Sequence, residues 1–308
     1  MISFRFQNKD TPVHRLNPFC KLVWVTVILV LALIFDHPLY IFLLFLSTLP
    51  LVAVAKIWRE WASAIKLVLY LGIFIVVINA LVVSQGAHVL LEAPFEIPAL
   101  GPLNITLEAI FFGLMMALRL LAIISAFTIL NFTVHPDDMM LAMMKMKLPY
   151  KSVLTTSLST RFIPTLIDDI ERLTDVQRTR GLEMDKGRLL QRVRKRATIL
   201  IPLLSNSLDR TVQVAEAMES RAFGQGTGRT FYKEIRFSRF DIIILIFVIL
   251  PLVWAIALRT SGYGSYQYYP SLEAMSFGGP EDFWLAMLLL LMVAPVPMAF
   301  LKRRIDLD

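Results

Sequence analysis

Six long apolar stretches limit what this chain can become. They run over residues 19–35, 39–55, 67–83, 107–132, 242–258 and 283–301. A bilayer span takes about 17–25 residues at about 1.5 Å rise each, so every stretch is long enough to cross. Apolar residues make up 56% of the 308 and charged residues 18%, against roughly 45–50% and 25% in soluble domains. The long apolar blocks disfavour a soluble enzyme, and disorder is ruled out for most of the chain, because this much apolar surface cannot stay in water. The single cysteine, Cys20, rules out an intrachain disulfide and a cysteine zinc cluster. The expected fold is an all-α membrane protein of about six transmembrane helices. Asp36-His37-Pro38 reads as a tight turn between the first two. Segment 84–106, with Gly86, Pro94, Pro98, Gly101 and Pro102, reads as an irregular loop or a short re-entrant piece.

The basic residues are unevenly placed. With both termini inside, residues 1–21, the loop 56–66, the stretch 133–241 and the tail after 301 share one side, and they carry 29 of the 31 Lys and Arg. The stretch 133–241 alone carries nineteen. The positive-inside rule therefore predicts two cytoplasmic termini. Asn17-Pro18 reads as a helix N-cap followed by proline at the first helical position, so the first apolar run starts a retained helix rather than a cleaved signal.

This divides the chain into membrane helices 1–4 over 1–132, a cytoplasmic helical region over 133–241 and membrane helices 5–6 over 242–308. The cytoplasmic region reads as three helices. The first runs from Pro136-Asp137-Asp138 to about Leu148 and holds Met139, Met140, Met143, Met144 and Met146. Thioether side chains suit surfaces that repack against a partner, and an ordinary buried helix has the same composition. The second, about Ser152–Arg180, has apolar positions from Phe162 to Val176 at spacings of three and four, with Asp168, Asp169, Glu171, Arg172, Asp175 and Arg178 opposite, and stops at Gly181. The third spans about 187–222 with a kink at Pro202. Its second half is expected to bury Leu204, Leu208, Val212, Ala215 and Met218, and it ends before Gly224.

The last two helices finish alike, with Thr179-Arg180-Gly181 and Ser220-Arg221-Ala222. The C-terminal end of a helix dipole favours a cation. Small neighbours let a guanidinium enter a groove, where its five donors grip carboxylates and carbonyls. A solvated arginine near a helix end satisfies the same pattern.

Further motifs make the set specific. His14-Arg15-Leu16-Asn17-Pro18 precedes Lys21-Leu22. Gly113, Arg119 and Ser125 share the fourth span, followed by Lys145-Met146-Lys147-Leu148-Pro149, Arg161-Phe162-Ile163-Pro164-Thr165-Leu166 and Gly228-Arg229-Thr230. Over about residues 10–258 the chain resembles the transmembrane T component of energy-coupling factor (ECF) transporters, the family that includes the membrane subunit of bacterial cobalt importers. The resemblance implies a scaffold without catalytic chemistry or cofactor, set in a bacterial or archaeal cell membrane. It implies as partners two ABC-type ATPases and one substrate-binding S component for a vitamin or metal ion. By residue match Arg180 and Arg221, with Thr179, Gly181, Ser220 and Ala222, are the ATPase contacts, and Met139, Met140, Met143 and Met144 are assigned to the S-component interface. The departures are Asn17 for the usual Asp, Thr179 and Ser220 for Ala, and Ala222 for Gly.

Other chemistry is poorly supported. Gly224-Gln225-Gly226-Thr227-Gly228-Arg229-Thr230 lacks the lysine and the strand context of a phosphate loop. The four histidines show no ligand spacing, and nucleic-acid binding does not fit a segment tied to a membrane. The alternative function is a self-contained secondary transporter, which needs ionisable sites near the midplane. Only Arg119 qualifies, and it reads as a structural residue bonded to carbonyls or to Asn79 or Asn131.

Overall fold

The computed structural model describes residues 9, 11–83, 86–97, 101–135, 138, 139, 142, 149–181, 189–223, 238–273, and 283, 284, 287, 292–294, 297 and 300. In chain order the elements are α1 (Pro18–Ile34), α2 (Pro38–Ala55), α3 (Trp58–Val82), β1 (Val89–Ile97), β2 (Gly101–Thr106), α4 (Leu107–Thr133), α5 (Tyr150–Thr179), α6 (Leu189–Ser220) and α7 (Arg239–Thr260). They form two compact units, Met1–Met139 with Ile235–Asp308, and Met140–Glu234.

The first unit is a membrane bundle. Helices α2, α3, α4 and α7 are long and apolar enough to cross a bilayer, and α1 is a shorter apolar helix of 17 residues. The sixth expected span, 283–301, lies largely outside the described residues. Helix α4 packs against α1, α2 and α3, and α1 packs against α7. The shared core includes Trp24, Ile28, Leu31, Leu44, Val52, Ala122, Ile129, Ile244 and Val248. The other face of α3 exposes Leu67, Tyr70, Phe74 and Ile78, which suits a helix that meets hydrocarbon.

Two expectations are corrected. The third span begins at Trp58 rather than 67, so Arg59 and Lys66 are helical residues and not loop. Nothing in 58–66 breaks a helix, and Glu60 in the first turn favours the start. Segment 84–106 holds an antiparallel ribbon instead of irregular loop, with Val89 opposite Thr106 and Ile97 opposite Gly101. Both strands of a two-stranded ribbon are edges, where proline is tolerated, and Pro94 falls in the register shift between Glu92 and Glu96.

Several polar groups of the bundle are paired across helices. Asn17 caps α1, its Oδ1 accepting from the Phe19 amide at 3.0 Å. Its Nδ2 donates to Asp241 Oδ2 at 3.4 Å, and Asp241 completes the capping box of α7 by accepting from the Ser238 amide at 3.0 Å. One buried pair thus ties two helix starts together. Lys21 donates to the carbonyls of Thr133 at 2.9 Å and His14 at 3.1 Å, placing a cation at the C-terminal end of α4. Ser125 is fully buried and joins three helices, with Thr48 Oγ1 of α2 at 2.7 Å and the Trp61 Nε1 donor of α3 at 2.8 Å. Gly113 lets α3 and α4 approach closely, since a Cβ there would sit 2.9 Å from Val76 Cα.

This arrangement accounts for asparagine at position 17. An aspartate would set a second carboxylate against buried Asp241 and lose the donor between them. Asn17→Asp is expected to destabilise the bundle by about 1–3 kcal/mol, read as a lower melting temperature in detergent. The pair Asn17→Asp with Asp241→Asn should recover most of the loss; no recovery would contradict the pairing.

Candidate coupling site

The second unit holds α5 and α6, of 30 and 32 residues. Proline lies inside each, Pro164 and Pro202. The helices meet where Arg210 Nη2 of α6 donates to Asp169 Oδ2 of α5 at 2.9 Å, with the Asp169 side chain 12% exposed. A shielded, charge-assisted contact of this kind is stronger than a surface ion pair. Val153 and Ile199 are also buried.

The inward faces differ from those read in the sequence. Asp169, expected on the polar outer face, is buried. Leu204, Leu208 and Val212, expected inside, are 62%, 66% and 55% exposed. The face that α6 half-buries is Leu203, Ser207, Arg210 and Val214, one step round the helix. Spacing alone shows that a stripe exists but not what it touches. Leu200, Leu204, Leu208 and Val212 recur every fourth residue, so they form a ridge, and α5 exposes Ile163, Ile167 and Ile170 in the same way.

Both helices end in left-handed caps. Gly181 has φ +82°, and its amide donates to the Arg178 carbonyl at 2.9 Å. Ala222 has φ +56°; its amide donates to the Glu219 carbonyl at 2.8 Å and the Phe223 amide to the Met218 carbonyl at 3.0 Å, the paired bonds of a Schellman motif. Helix α6 therefore stops at Ser220 with Ala222 as its terminator, ahead of Gly224, which lies outside the described residues. The hydroxyl preceding each arginine is consumed locally: Thr179 Oγ1 donates to the Val176 carbonyl at 2.8 Å and Ser220 Oγ to the Ala217 carbonyl at 3.0 Å. The substitution of Ala by Thr and Ser thus adds no free donor.

Arg180 and Arg221 occupy equivalent capping positions. Both are exposed, and neither guanidinium forms a hydrogen bond or ion pair among the described residues. Each stands eleven residues, three helical turns or about 16 Å, beyond its helix's half of the Asp169–Arg210 bridge. The two cations are thus equally far along their helices from the point where the helices meet. Met139 is half-buried against the membrane core, whereas Met140, Met143 and Met144 lie outside the described residues.

Arg119 is paired, but not with Asn79 or Asn131. Its Nη2 donates to the Phe35 carbonyl at 2.9 Å and to Asp36 Oδ1 at 3.1 Å. Asn79 bonds the Ile75 carbonyl of its own helix. Tyr268 donates to the Asp36 carbonyl, and burial pushes its phenol well above the ordinary tyrosine value, so it remains a donor. The sequence reading missed Asp36, Asp169 and Arg210. The tight turn at 36–38 marks where Asp36 lies but gives no sign of its partners.

The left-handed caps are testable. Gly181→Ala is expected to weaken the end of α5 by about 1 kcal/mol, and Ala222→Gly to strengthen the end of α6 by a similar amount. Amide hydrogen exchange over the last turns should move in opposite directions for the two variants.

The comparisons with known proteins agree with one another. The family described as CbiQ, cobalt transport protein, matches residues 9–232. The energy-coupling factor transporter transmembrane protein EcfT of Bacillus selenitireducens is 31% identical over 269 residues, covering 82% of this chain and 95% of the relative. EcfT of Lactococcus lactis subsp. cremoris is 30% identical over 272 residues, covering 83% and 98%. EcfT of Streptococcus thermophilus is 31% identical over 258 residues, covering 81% and 95%.

Proposed function

The chain belongs to the CbiQ/EcfT family of energy-coupling factor transmembrane proteins, and from that premise we propose how it works. It is a non-catalytic multi-pass scaffold of an ECF transporter. Arg180 and Arg221 dock into two ABC-type ATPases on the cytoplasmic side, where both termini also lie. Met139, Met140, Met143 and Met144 are assigned to the S component that carries the vitamin or metal ion, and the exposed ridges of α5 and α6 offer a protein partner its own apolar surface.

The observation that carries this reading is the twin cap. Each arginine leaves its helix at the turn where the backbone reverses, with small residues on either side and its guanidinium unpaired within the described residues. A partner groove lined with carboxylates or carbonyls can take all five donors. The equal distances from the Asp169–Arg210 bridge support a paired lever, in which closure of two ATPases displaces both helix ends together. The exposed apolar ridges support a further protein partner, because contiguous apolar surface of this length marks an interaction face. A secondary transporter has less support, since Arg119 is committed to Asp36 and Phe35.

Reversal of both cations, Arg180→Glu with Arg221→Glu, is expected to strip both ATPases from the affinity-purified assembly. Retention of both would sink the assignment. Asp169→Ala should leave the ATPases bound and lower ATP-driven uptake severalfold, because it loosens the pivot without touching the arginines. Unchanged uptake would show that the bridge does not couple the two arms.

A further inference from the structure

The corner between α1 and α2 holds a group of charges that the scaffold role leaves unused. Asp36 stands between two arginines from different helices. Arg119 of α4 donates to its Oδ1 at 3.1 Å, and Arg259, in the last turn of α7, donates from Nη2 to its Oδ2 at 3.1 Å. One carboxylate faces two guanidiniums, leaving a net charge of +1. The donors are also in excess. Arg119 Nε and Arg259 Nη1 are shut off from solvent and have no hydrogen-bond partner. An unmet buried donor costs about 1–3 kcal/mol, and more when it is charged. Yet the group as a whole is open, with the side chains of Asp36 and Arg259 40% and 39% exposed and that of Arg119 18%.

Position narrows what can complete it. Helix α1 has 17 residues, about 25 Å, against a hydrocarbon core of about 30 Å. Its far corner nonetheless lies level with the last turn of α7, a full-length span, because Arg259 there reaches Asp36. Helix α4 has 27 residues and continues twelve residues past Arg119 toward its start at Leu107. Arginine at the end of a span meets lipid headgroups and water. Around the corner lie aromatic rings of the kind found at headgroup level: His37 and Tyr266 at 5.5 Å, Tyr266 and Tyr268 at 4.8 Å, and Phe112 and Tyr268 at 5.2 Å. Among the described residues, Asp36 is the acid bonded to these arginines.

We propose that Arg119, Asp36 and Arg259 form an anion site that takes the phosphodiester of an anionic phospholipid from the leaflet at this end of the bundle. The phosphate supplies the missing negative charge beside the open part of the Arg259 side chain, which is 39% exposed.

The test uses the full chain, delipidated in detergent, with native mass spectrometry reading bound lipid. Wild type is expected to hold phosphatidylglycerol at least tenfold more tightly than phosphatidylcholine, and Arg259→Gln to lose that preference. Asp36→Asn separates a lipid site from a merely structural triad. It raises the net charge to +2 and removes one of the two acceptor oxygens, so phosphatidylglycerol should bind severalfold more tightly even if the fold is weakened. On wild type alone, phosphatidylglycerol should also protect Arg259 from phenylglyoxal, read by peptide mass spectrometry, whatever becomes of the variants. Equal protection by inorganic phosphate at matched occupancy would keep the phosphate site and remove the lipid as its source. Phosphatidylglycerol that neither protects Arg259 nor responds to either substitution would overturn the proposal.

Discussion

A bilayer offers no water to an unsatisfied polar group, and α4 carries several such groups into it. Each is handed to a different neighbour. Ser125 joins α2 and α3 through Thr48 and Trp61. Arg119 reaches the α1–α2 corner. The carbonyl of Thr133 receives Lys21 of α1. These bonds fix how α4 is rotated and at what height each neighbour sits, which apolar packing alone leaves loose. Gly113 adds the close approach of α3. Moving any one of these residues along α4 would leave a buried donor or acceptor unmet, at a cost of about 1–3 kcal/mol.

The two units contrast in what they leave open. The membrane unit satisfies most of its polar groups internally and exposes mainly apolar side chains. Among the described residues, the unit built from α5 and α6 caps its two C-terminal helix ends and pairs Asp169 with Arg210, but leaves Arg180, Arg221 and two apolar ridges open. A structure that is closed in the lipid and open elsewhere suits a part that transmits force between other proteins. The local chemistry of the two caps agrees. Hydroxyls at Thr179 and Ser220 are turned back onto their own helices, so the arginines are the groups offered outward.

Of two departures from the family pattern, one has its reason in the packing. Asn17 stands where Asp is usual because its amide must donate to Asp241 while its oxygen caps α1. Ala222 stands where Gly is usual and adopts φ +56°, a strained conformation for a residue with a Cβ. The first departure is compensated by its neighbour. No compensating contact is evident for the second.

The existence of the described helices, most of their limits and the paired arginine caps were legible in the residues, because hydropathy, proline, glycine and capping preferences act over a few neighbouring positions. That is why Asn17-Pro18, Gly181 and the turn at Asp36-His37-Pro38 could be read directly. The partners of Arg119, the inward turn of Asp169 and the outward turn of Leu204, Leu208 and Val212 were not legible. Which face of a helix is covered, and which carboxylate meets which guanidinium, depends on rotations and heights set by residues more than forty or eighty positions away. The periodicity of a single segment carries no information about those distant contacts. Only the packed helices decide them.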